Sequence, residues 1–282
     1  MKNKPGFSKI YIAFLLAVMY VPIALVIVYS FNVSRLNSMW GGFTFSWYRE
    51  LFRDRALFEA LRNSLVLAAV SSLLAAVIGT LGAAGIAWGA AGNEPGTLRT
   101  RAAGIMEYLS ILPIMTPEII LGMVLLVFFS LLALPLGMLT LILAHTTFCI
   151  PYVYLLVKAR IAGLDKSLTE AARNLGAGAW QAFRDVMLPL LMPAVVSGML
   201  LSFAMSFDDV IISIFVTGPQ TNTLPIRIYT QMKTGVTPKT NALCSLLFII
   251  TIILCILSAA VSRIRLPEKI TENKAPETTA LQ

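Results

Sequence analysis

Apolar positions fall in long runs separated by short polar stretches, and most runs are about 20 residues long. A run of that length wound as an α-helix crosses the roughly 30 Å hydrocarbon core of a bilayer, and a helix satisfies its own backbone donors and acceptors there. The pattern predicts six spans, over residues 10–30, 64–90, 104–134, 137–157, 190–216 and 242–261. Pro22 lies inside the first and predicts a kink. Lys2, Lys4 and Lys9 precede that run and no A-x-A site closes it, so it reads as an uncleaved helix rather than a signal peptide. The second carries small residues at Ala75, Gly79, Ala83, Gly85 and Gly89, which let helices approach closely in lipid. Pro113 and Pro117 interrupt the third, and a tight turn at Pro135–Gly137 separates it from the fourth.

The polar stretches differ in kind. Residues 31–63 mix Trp40, Phe43, Phe45, Trp47 and Tyr48 with arginines and acids, a pattern suited to a helix at the membrane–water interface. A ligand contact by Trp47 is the alternative. Residues 217–241 are a loop with Pro219, Pro225 and Pro238, and the tail from 263 is polar and predicted to be disordered.

Residues 164–189 are unlike the rest, being polar and helix-forming. Ser167-x-x-Glu170 reads as a capping box, with the Ser167 hydroxyl on the third helical N–H. Leu164, Leu168, Ala171, Ala172 and Leu175 then form one apolar stripe, and Gly176 is a C-terminal breaker. A second stripe follows at Ala179, Trp180, Phe183, Val186 and Met187, before Pro189 opens the next span. Two short amphipathic helices with a glycine bend are expected. They lie on lipid headgroups, pack on their own bundle, or offer their small residues to another protein.

Composition agrees with a membrane chain: 57% of residues are hydrophobic and 13% charged, against about a quarter charged in soluble domains. In such a chain the net charge of +8 reports topology rather than nucleic acid. With six spans, 14 lysines and arginines lie on the side of the termini and 8 on the other, which places both termini and residues 164–189 in the cytoplasm. Cys149, Cys244 and Cys255 lie in apolar segments with no metal-ligand spacing, and His145 is the single histidine, so no metal site is expected. His145 reads as an interhelical hydrogen bond. The chain has no G-x-x-x-x-G-K-[ST] phosphate loop.

Carboxylates inside spans are costly and mark candidate functional sites. Glu118 lies in the third span, and Asp208 and Asp209 in the fifth. With no lysine or arginine inside a span to pair with them, they describe a cation pathway better than a structural ion-pair network. Adjacent residues on a helix point about 100° apart, so Asp208 and Asp209 cannot both face one small ligand. One of the aspartates can instead be protonated or cap a broken helix. Glu107, near the membrane edge, reads as structural.

Glu170-Ala171-Ala172, then Gly176, Val186 and Leu188-Pro189, resembles the EAA motif of type I ABC importer permeases, with Val186 where isoleucine is usual. The blocks FNVSRLNSMWGGFTFSWYRELF, AHTTFCIPYV, SFDDVIISIFVTGP and TLPIRIYTQMKTGVTPKTNAL are similar to the spermidine/putrescine permeases. The resemblance implies an all-α polytopic membrane protein of six helices, with residues 164–189 as the coupling loop on an ATP-binding subunit. It implies a division into residues 1–58 (first helix and extracytoplasmic loop), 59–262 (permease core) and 263–282 (cytoplasmic tail). The implied partners are a homologous second permease, two ATP-binding subunits that hold ATP and Mg, and an extracytoplasmic binding protein. The implied cargo is a polyamine, putrescine or spermidine, carried across a bacterial cytoplasmic membrane by a non-catalytic subunit with no cofactor of its own. Transport roles carry over onto Trp47, Glu118, Ser206, Asp208 and Asp209, and ATPase coupling onto Glu170, Ala171, Ala172, Gly176, Leu188 and Pro189. At Glu118 the family usually has aspartate, which keeps the charge and changes the reach by one methylene. The alternatives are an ABC permease for another small solute and an ion-coupled secondary transporter.

Overall fold

The structure, a computed structural model, describes residues 5–34, 39–90, 98–165 and 167–264. In chain order the helices are α1 (Pro5–Tyr29), α2 (Ser46–Leu51), α3 (Arg55–Ala90), α4 (Leu98–Met115), α5 (Glu118–Leu131), α6 (Met138–Ala162), α7 (Ser167–Asn174), α8 (Ala179–Gln181), α9 (Leu188–Asp208), α10 (Ile211–Val216), α11 (Leu224–Thr234) and α12 (Pro238–Ile264). A π-helical turn, Ala182–Met187, joins α8 to α9. The chain forms two compact units, Met1–Arg53 with Val236–Gln282, and Asp54–Gly235.

In the first unit α1 continues past Pro22 as one helix and leaves Ile10, Phe14 and Val21 exposed, as a lipid-facing helix does. The aromatic stretch after it opens as a bridged loop and reaches helix only at α2 and the start of α3. Asn32 bridges Phe43, and its buried amide donates to Met39 O at 2.8 Å and accepts from Gly41 N–H at 2.8 Å. Phe31 and Phe43 stack at 4.9 Å. The apolar part of α12 within the described residues is Pro238–Ile253, shorter than a full span. All but the first two residues of the expected 263–282 tail lie outside the described residues.

The second unit is built on α3, α6 and α9. The 36 residues of α3 span about 54 Å, so the helix starts nine residues before the expected span. Asp54 accepts the Leu57 N–H at 3.1 Å and so caps it, and the same carboxylate takes Arg227 Nη2 of α11 at 3.0 Å. Ala75 and Ala83 are buried, and a Cβ on Gly79 would stand 2.9 Å from Val153 Cβ of α6. Gly198 of α9 approaches Val153 from the other side, 3.0 Å from Cα to a Cβ built there. The small-residue stripe is therefore a packing face; Gly85, with nothing within 4 Å, is outside it.

Among the described residues four helical stretches are long and apolar enough to cross a membrane: Lys9–Tyr29, Arg55–Ala87, Met138–Ala162 and Ala179–Asp208. The expected third span is a helix pair bent by 110°, Arg101–Met115 and Glu118–Leu131. The proline at 117 biases Thr116 away from helical backbone, and α4 ends there. The expected fifth span is also broken. It starts earlier than expected, winds through the π turn before Pro189, and stops at Asp208. Pro189 has no N–H for the turn behind it, and the backbone widens there instead. After Asp209 and Val210 the chain resumes as α10.

Candidate functional site

The two breaks bring the acids together. Glu118 is the first residue of α5, half-buried, where the helix dipole favours a carboxylate. A Cβ on Gly122 would lie 2.6 Å from Phe215 Cδ2, so α5 lies directly against α10, the helix that follows Asp209. The charges of Asp209 and Asp208 both act on Glu118, and the charge of Glu118 acts on Tyr152 of α6.

The two aspartates are placed differently. Asp208 closes α9 and is exposed, at the helix end whose free carbonyls favour a cation. Asp209 is 8% exposed and turned to the protein. Its Oδ1 accepts the Ile212 N–H at 3.2 Å, and its Oδ2 accepts the Ser213 N–H and the Ser213 hydroxyl, each at 2.9 Å. It therefore caps α10. Ser206 is buried too. Its hydroxyl meets His145 Nδ1 at 2.8 Å and the Ser71 hydroxyl at 3.0 Å. His145 Nε2 lies 3.0 Å from Ser213 Oγ and 3.5 Å from Asp209 Oδ2. The single histidine is thus an interhelical hydrogen-bonding group, as its residue type suggested.

Trp47 belongs to the other unit. Its indole N–H donates to Asn32 O at 2.7 Å, so its polar edge is used in holding the aromatic loop. Ser71 and Ser213 were not anticipated. Of the readings open for the two aspartates, the cap of a broken helix is the one Asp209 fills. Glu107 forms an ion pair with Lys158, which lies within α6.

Residues 164–189 form the second candidate surface. The Ser167 N–H donates to Asp165 Oδ1 at 2.9 Å and the Ser167 hydroxyl bonds the same carboxylate, holding the Asp165 carboxyl below the ordinary aspartate value. Asp165, not Ser167, therefore supplies the capping oxygen. At the other end of α7 the Ala177 N–H reaches Ala172 O at 3.1 Å, the Gly176 N–H reaches Arg173 O at 2.9 Å, and Gly176 has φ +90°. These bonds are a Schellman C-cap with glycine in the left-handed position. Glu170, Ala171 and Gly176 are exposed and Ala172 is half-buried. Leu175 is 90% and Trp180 65% exposed, while Phe183 and Met187 are buried. Neither predicted stripe is uniform: Phe183 and Met187 of the second and Leu164 of the first pack inward, while Leu168, Ala171 and Leu175 of the first and Trp180 of the second are left exposed. Leu188 and Pro189 open α9 at the end of the π turn.

The family of binding-protein-dependent transport system inner membrane components matches residues 85–267. The spermidine/putrescine transport system permease protein PotC of Escherichia coli K12 is 39% identical over 247 residues, 88% of this chain and 90% of that protein. The putrescine transport system permease protein PotI of the same strain is 38% identical over 236 residues, 81% of each. Among solved structures, a bacterial ABC transporter that imports the acidic polysaccharide alginate superposes with a TM-score of 0.68 at 14% identity, covering 93% of this chain and 95% of that one. The MetNI methionine ABC transporter superposes with a TM-score of 0.59 at 20% identity, over 74% and 94%. At those identities the likeness concerns the fold alone. With a family match over well over half its length and relatives this similar along nearly all of it, the chain belongs to the binding-protein-dependent transport system inner membrane components.

Proposed function

We propose that this chain is the permease subunit of an ATP-driven importer for polyamines. The observation that carries the reading is the 39% identity with a spermidine/putrescine permease over 88% of the chain. Its chemistry supports it. A polyamine carries two or three ammonium groups on an apolar stem. Glu118 at one helix break, Asp208 at the other and Tyr152 beside Glu118 offer separated carboxylates and an aromatic face to such a cation. Trp47 is a further aromatic candidate of the extracytoplasmic loop. Few and spaced acids suit passage, because a dense cluster would trap the cargo.

The chain supplies half of the path and pairs with a homologous permease. It has no phosphate-binding loop, so two partner subunits bind ATP and Mg and hydrolyse it. Glu170, Ala171, Ala172 and Gly176 with exposed Leu175 and Trp180 form the surface on which an ATPase subunit docks, and Leu188-Pro189 passes the motion to α9. An extracytoplasmic protein delivers the polyamine. Both termini and residues 164–189 lie on the cytoplasmic side of a bacterial inner membrane, the reading supported by the distribution of basic residues.

The test is reconstitution into liposomes with an ATPase, a second permease and a binding protein. ATP-dependent uptake of putrescine or spermidine is the expected result. Uptake by this chain alone, driven by a proton gradient and indifferent to ATP, would make it a secondary transporter instead.

A further inference from the structure

At the break between α9 and α10 the single histidine, a buried carboxylate and three serines from four helices meet: Ser71, His145, Ser206, Asp209 and Ser213. We propose that His145 and Asp209 are positioning residues that clamp this break, so that Asp208 and not Asp209 meets the transported cation. The inference rests on the function proposed above and divides the two adjacent aspartates by role.

The bonding of Asp209 carries the argument. Its two oxygens already accept two backbone N–H groups and one hydroxyl, all from α10. An ionised carboxylate has about four acceptor positions, and the remaining approach is closed by burial and by His145 at 3.5 Å. A substrate ammonium would have to displace the cap of α10 to reach it. The Ser213 hydroxyl gives its one proton to Asp209, so its oxygen takes the Nε2–H of His145. His145 thus holds the carboxylate through Ser213 on one side and α9 through Ser206 on the other. The far end of α10 is also fixed. Thr140 Oγ1 donates to Val216 O at 2.9 Å, and a Cβ on Gly218 would stand 2.2 Å from Leu136 O. Because α5 leans on α10 at Gly122, the clamp sets where Glu118 stands relative to Asp208.

The experiment is transport of radiolabelled putrescine by the complete reconstituted complex, with amide hydrogen exchange on the same preparations. Asp208→Asn is expected to raise KM about tenfold, with maximal rate within about twofold, because it removes a ligand of the cation. Asp209→Asn and His145→Ala are expected to lower maximal rate about tenfold and leave KM within about twofold. His145→Gln, which restores a donor and an acceptor on a flexible stem, recovers part of the rate. Exchange at Ile212 and Ser213 quickens in Asp209→Asn and His145→Ala but not in Asp208→Asn. A KM for Asp209→Asn raised as far as that of Asp208→Asn overturns the proposal, as does unchanged exchange at Ile212 and Ser213. A wild-type complex that carries no polyamine defeats the proposed function instead, and the exchange measurement then decides the clamp by itself. If Asp209→Asn does not assemble, the pair His145→Ala and His145→Gln carries the test: equal rates in the two overturn it.

Discussion

Two adjacent aspartates with the same chemistry end up in opposite surroundings, one exposed at a helix end and one buried as a cap. What separates them is a single non-helical peptide unit, and similar one-residue effects recur in the unit. Asp54 both caps α3 and holds Arg227. Asp54→Ala is expected to destabilise the purified chain by about 2 kcal/mol, as the loss of a cap and of a bond to a charged group, read by denaturant unfolding in detergent. Ala133 sits at φ 51°, with its N–H on Ser130 O and the Leu134 N–H on Phe129 O, each at 3.0 Å. It fills the left-handed position of a Schellman cap that favours glycine, so Ala133→Gly is expected to stabilise by about 1 kcal/mol. A lower melting temperature for that variant would count against it. The sequence marks Glu118, Asp208 and Asp209 as residues to watch. It does not say which carboxylate a backbone will occupy, because that depends on where the helix breaks.

At the scale of elements, α7 and its flanks show how local signals and packing divide the work. The breaker at Gly176 is legible in sequence because left-handed backbone almost demands glycine. The cap is not, because Asp165 and Ser167 are both good capping residues and only the path of the chain chooses between them. Gly176→Val has open space around it but meets the backbone penalty at φ +90°, an expected loss of about 1–2 kcal/mol in the local cap and of co-purification with the ATPase. Trp180→Ala, by contrast, removes a side chain that is 65% exposed. It is expected to leave stability within about 0.5 kcal/mol and still weaken ATPase capture, measured by pull-down. Undiminished capture would refute the docking role. The Asp165 carboxyl is held low by the Ser167 N–H and hydroxyl. Its folded value lies below its unfolded one, so its help to α7 is complete above the ordinary aspartate value and is lost as pH falls through the lowered one. Exchange at Ser167 should quicken over that acid window, and Asp165→Asn should remove the dependence.

At the scale of the molecule, the sequence by itself determined the solvent and the class. Runs near 20 apolar residues leave only helices as a way to satisfy the backbone in lipid, and the motif blocks carry enough residues at fixed spacing to name the family. Glycines and alanines at helical spacing likewise foretold a close-packing face on α3, because close approach in lipid needs small side chains; the structure sets α6 against it. Tertiary structure alone decided the rest. An apolar run of the right length can be one straight helix or two pieces, and hydrophobicity is the same for both. Pro113 and Pro117 mark an interruption and the aspartates a candidate cap, but the 110° angle before Glu118 and the place of the break after Asp208 are set only once α5, α6 and α10 are packed together. Those breaks bring Glu118 to the two adjacent aspartates, bury Asp209 beside His145 and leave Asp208 open. Residue chemistry is local and can be read in order along the chain. Which side chain is buried and which is left open is set by contacts between helices 60 to 140 residues apart, such as His145 with Ser206 and Ser71 with Ser206, and no local pattern encodes them.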